Sequence, residues 1–150
     1  MENMITAKGL VIAGIGAVGG VIAGFFGGWD AALITLLIFM GVDYITGLIA
    51  AGVFKNSTKT DSGALGSNAA FMGLLRKGMV LLVVLVACRL DIMIGTNFVR
   101  DAVVIAYCVN EMLSIVENMG LMGVPIPEAI TKAIEILKKS ETEDKNGGKE

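Results

Sequence analysis

The sequence predicts an all-α membrane protein with about four transmembrane helices and a short C-terminal amphipathic helix. Three observations lead there. The 150 residues are 55% hydrophobic and only 17% charged, and the mean hydropathy is +0.76. The apolar residues gather in runs of about 20, the length that spans roughly 30 Å of hydrocarbon. One of these runs carries polar residues on a single helical face, which lipid would not tolerate. The formal net charge is −2 and the basic residues are dispersed, so no nucleic-acid footprint is present. The chain has no histidine, which removes the common His-based metal sites and the Ser/His and Cys/His nucleophile pairs. Neither catalysis nor a metal or cofactor is expected. Cys88 and Cys108 both lie in apolar runs, where cysteine acts as a small hydrophobe, so no disulfide is expected either.

The first span is expected over 9–29, which holds no charged residue. Within it Gly16, Gly20, Gly24 and Gly28 recur every four residues. Such a face lets two backbones approach closely and drives association where no hydrophobic force acts between helices, so these glycines are the expected oligomer contact. The same run also has features of a cleaved signal peptide, with Lys8 before it and small residues near Ala23 and Gly24, although it is long for one. If it were cleaved, three spans would remain.

A second span is expected over 31–54, interrupted only by Asp43, and an aspartate at mid-membrane is a functional candidate by default. Residues 55–68 are rich in Ser, Thr, Gly and Asn without apolar periodicity, and read as a loop. The third span is expected over 71–95, with Arg76 and Lys77 snorkelling to one interface and Arg89 and Asp91 near the other. Gly95, Thr96 and Asn97 then turn the chain into a fourth helix over 98–119, antiparallel to the third.

That fourth helix carries the polar face. At 100° per residue, Arg100, Tyr107, Glu111, Ser114 and Asn118 fall within roughly 60° of one another, and they are the expected pore-lining or inter-helix stripe. Two prolines in GLMGVPIP end the helix, and 127–139 repeats apolar residues at amphipathic spacing with lysines opposite. Residues 140–150 read as a charged, disordered tail. Lysine and arginine concentrate around the 55–68 loop rather than the 95–97 turn, which places that loop and the C-terminus in the cytoplasm.

Asp43 with Gly47, Gly73 with Arg76 and Lys77, Asp91, then Glu111, Ser114, Glu117 and Asn118 running into GVPIP at 123–127, together resemble the phage and toxin-secretion holins, the group containing the clostridial toxin-release holin. The resemblance covers about 37–137. The glycine-rich first helix and the charge of Arg89 depart from the family pattern. Membership would imply a homo-oligomer in the bacterial cytoplasmic membrane that makes lesions releasing an endolysin or a toxin and so lyses the host. The residues fit such a role, because a helix bearing the 100–118 stripe must turn it toward other copies or water. Pairing of Arg89 or Arg100 with Glu111 or Asp43 inside a closed subunit would delay opening. A competing expectation is an ion channel or small transporter using Asp43 and Glu111. Met1 and Met4 also offer two starts, the longer product inhibiting the shorter, though only Glu2 and Asn3 separate them.

Overall fold

The computed structural model describes residues 2–59, 62 and 64–136, and they are all-α. The four long helices are α1 (Glu2–Phe25), α2 (Ala31–Gly52), α3 (Ser67–Ile94) and α4 (Phe98–Leu121). A short α5 occupies 128–136, where the described residues end. The remainder of the expected amphipathic segment and the tail at 140–150 lie outside them.

Helix ends follow local chemistry. α1 stops at Phe25, four residues before the expected limit, because Gly27 and Gly28 adopt φ of +77° and +106°, a left-handed backbone that glycine accepts at little cost. Gly28 therefore belongs to the turn and not to the glycine face of the helix. Asp30 caps α2, its Oδ1 accepting the Leu33 N–H at 2.8 Å, a contact whose loss typically costs about 1 kcal/mol. α3 begins at Ser67, earlier than expected, and closes on Gly95 in the left-handed region at φ 72°.

Three stretches are long and apolar enough to cross a membrane: Thr6–Phe25, Ala31–Gly52 and Ser67–Ile94. α4, expected as the fourth span, is not among them; it carries Arg100, Asp101, Glu111 and Glu117. Its 24 residues nevertheless reach roughly 36 Å at 1.5 Å per residue. α4 packs most extensively on α2 and next on α3, so its polar face has protein to turn toward.

Leu33, Leu36 and Met40 of α2 interlock with Val84 and Cys88 of α3 and Val104 of α4, all buried. Between helices in a bilayer this core gains by close fit and dispersion rather than by expelling water. The contacts fix direction. Lys77 meets Glu111 and Asp91 meets the start of α4, so α3 and α4 run antiparallel. Asp30 meets Arg100 and Asn56 meets Leu121, so α2 and α4 run parallel. α1 touches this three-helix bundle at its C-terminal end, where Ala23 is buried and the Cys88 thiol donates to the Phe26 carbonyl at 3.4 Å. Both cysteines are free thiols. The glycines of α1 have nothing within 4 Å of where a Cβ would stand.

Candidate functional site

The α4 stripe is turned inward, against α2 and α3. At its centre the Lys77 ammonium donates to Asp43 Oδ2 at 2.8 Å and to Glu111 Oε2 at 2.5 Å. The side chains of Lys77, Asp43 and Glu111 are only 13%, 8% and 6% exposed. One cation thus holds two carboxylates from two helices, and charge-assisted bonds of this length are the strong ones. Asn118, about two turns further along α4, donates from Nδ2 to Asp43 Oδ1 at 3.0 Å and to Thr46 Oγ1 at 3.1 Å. Gly47 lies directly beside this contact, since a Cβ on it would stand 3.5 Å from the Asn118 amide nitrogen, at ordinary van der Waals distance. Ser114 lines a cavity beside the cluster. Counted along α2 and α4 from Ala31 and Phe98, Asp43 and Glu111 both lie roughly 20 Å deep.

A second polar knot ties the opposite end. Asp91, on the last turn of α3, accepts from Val99 N–H at 3.1 Å, Arg100 N–H at 2.7 Å and Thr96 Oγ1 at 2.5 Å. It caps the next helix from outside, in place of Asn97, whose side chain makes no capping bond. The Arg100 guanidinium donates from Nη1 to Asp30 Oδ2. That bond holds the Asp30 carboxyl below its usual range, with the Leu33 N–H adding to the effect against partial desolvation. Arg100 Nε and Nη2 are buried and meet no acceptor among the described residues.

The stripe residues consequently divide. Glu111, Ser114 and Asn118 meet the α2–α3 cluster, Tyr107 packs on the apolar core, and Arg100 joins the outer knot. The expected internal pairing exists, but with other partners. Lys77 takes the place foreseen for Arg89 or Arg100 beside Glu111 and Asp43, while Arg89 is exposed and makes no ion pair among the described residues. Lys77 is the residue that sequence reasoning missed. Adjacent to Arg76 at the edge of an apolar run, it looked like an interface anchor, and only a tally of buried acids against nearby cations would have singled it out.

A model of the bacteriophage holin family matches residues 20–139. The chain is 39% identical to an uncharacterized 14.9 kDa protein of Clostridium perfringens over 91% of its own length and 97% of that protein's. It is 37% identical to an uncharacterized protein of Listeria monocytogenes, over 90% of this chain and 91% of the other. A probable holin of Bacillus phage phi105 is 36% identical over 75% of this chain and 82% of its own. No solved structure matches.

Proposed function

Because the chain belongs to the bacteriophage holin family, we propose that it oligomerises in a bacterial cytoplasmic membrane and opens lesions through which an endolysin or a secreted toxin leaves, lysing the host. The 55–68 loop and the C-terminus face the cytoplasm, and the 95–97 turn faces outward. One observation carries this reading: the polar face of α4 is turned inside the subunit, where Lys77 pairs Glu111 together with Asp43 of α2, rather than left to lipid. Such a subunit can accumulate harmlessly. If α4 parts from α2 and α3, its stripe has no lipid-compatible side to show and must meet other copies or water. α1, whose glycine face is unoccupied, supplies a second and different contact, which growth into a ring or sheet needs.

A narrow ion path is the second reading, favoured by one observation. Asp43 and Glu111 both line an open cavity, as a cation route would require. Size-graded leakage separates the two. On induction, escape of a folded cytoplasmic enzyme supports the lesion, and escape of protons and small ions alone supports the channel. If neither the membrane potential nor the enzyme barrier falls, both readings fail.

A further inference from the structure

A cavity of about 610 Å³ opens between α2, α3, α4 and the connection after α2. Its lining sorts by chemistry. Asp43, Lys77 and Glu111 form one part, apolar Leu48, Met72 and Val80 another, and Lys59 and Arg76 also line it. The two carboxylates are already shared by Lys77, whereas Lys59 and Arg76 make no ion pair among the described residues. Lys59 reaches back from the loop to α2, its Nζ 3.9 Å from where a Cβ on Gly47 would stand. Over the whole lining the three cations outnumber the two carboxylates.

The depth of Arg76 is informative. At 1.5 Å per residue it lies roughly 27 Å along α3 from Ile94, so a hydrocarbon slab about 30 Å thick that begins at the α3–α4 turn ends close to it. Arg76 and Lys59 then stand at headgroup level on the cytoplasmic side.

We propose that this cavity binds the phosphodiester headgroup of an anionic phospholipid, Arg76 and Lys59 engaging the phosphate and an acyl chain running inward along Val80. A guanidinium offers the paired donors that phosphate oxygens accept, and basic pockets between helices at the cytoplasmic face are where such lipids are recognised. The inference rests on the proposed orientation only for naming the leaflet. Binding would tie the loop, α2 and α3 together, and so place two of the three arms of the charge cluster under lipid control.

The full-length protein is to be extracted in micelles containing equal amounts of phosphatidylglycerol and phosphatidylcholine, and the retained lipid counted by native mass spectrometry. The wild type should hold phosphatidylglycerol in preference to phosphatidylcholine. Arg76→Gln and Lys59→Gln, both at exposed positions, should each retain about tenfold less, the scale of one lost charged hydrogen bond. Arg89→Gln, at an exposed arginine on the other half of α3, should retain as much as wild type. Equal retention of the two lipids, or equal loss in Arg89→Gln, would overturn the proposal. Displacement of the lipid by inorganic phosphate at matched concentration would overturn it too, by assigning the site to free phosphate. Lipid retention is measured without lysis, so a protein that keeps phosphatidylglycerol but releases no enzyme defeats the holin reading alone.

Discussion

Lys77→Met removes one ammonium and nearly nothing else, because methionine has similar length and an apolar stem. What it leaves is two buried carboxylates, with Asn118 still donating to Asp43 but no cation between the acids. Removing one partner of a buried ion pair typically costs about 3–5 kcal/mol. The escape route has a similar cost, since protonating one carboxylate at pH 7 takes about 1.4 kcal/mol per unit above its ordinary pKa, or about 4 kcal/mol. The closed subunit should therefore be weakened by about 4 kcal/mol, roughly a thousandfold in its population relative to the open form. In detergent the unfolding midpoint should fall by roughly 10 °C, at 2–4 °C per kcal/mol for a chain of this size. In cells matched for membrane content, lysis should begin earlier. Should Lys77→Met accumulate poorly, the neutral set Asp43→Asn, Lys77→Met, Glu111→Gln should restore its amount, because hydrogen-bonding groups without charge need no counter-ion. A Lys77→Met protein that melts and lyses as the wild type does would refute the role given to the cluster.

Three further outcomes are expected. Asp91→Ala deprives the Val99 and Arg100 N–H groups of their acceptor, so the melting midpoint should drop by roughly 3 °C, for about 1 kcal/mol of lost capping; an unchanged midpoint would mean that α4 finds another cap. Gly20→Leu should lower the yield of crosslinked oligomers while Val21→Leu leaves it unchanged, because only the former fills a closest-approach position; equal yields would remove the α1 contact. After replacement of Cys88 and Cys108, an impermeant thiol reagent on intact cells should label Thr96→Cys but not Ser62→Cys, and the reverse pattern would invert the topology.

The sequence made the fold legible where the pattern is local. Apolar runs set the helices, and the 100° spacing of Glu111, Ser114 and Asn118 set the face of α4 that meets protein. The left-handed turn at Gly27 and Gly28 was less legible, since an uncharged glycine-rich stretch looks the same inside a membrane helix and just past its end. Partners were the least legible feature. Lys77 lies 34 residues from both Asp43 and Glu111, and no periodicity within one helix reports which cation a neighbouring helix will offer. Asp91 misled for a related reason, because a carboxylate at the end of a span resembles an interface charge even when it caps the helix that follows.

The central claim is that the α4 stripe faces inward in the closed subunit and leaves that position when the membrane opens. Tyr107 reports this most directly, being part of the stripe, partly buried, and packed on the core rather than on the charge cluster. In a Cys88→Ala, Cys108→Ala background, Tyr107→Cys is to be exposed to a water-soluble maleimide through the course of induction, with Thr96→Cys as the position that labels throughout. Tyr107→Cys should stay unlabelled until a folded cytoplasmic enzyme begins to escape, and should then label or crosslink to a second copy. Constant reactivity at that position while the enzyme leaves the cell would contradict the account.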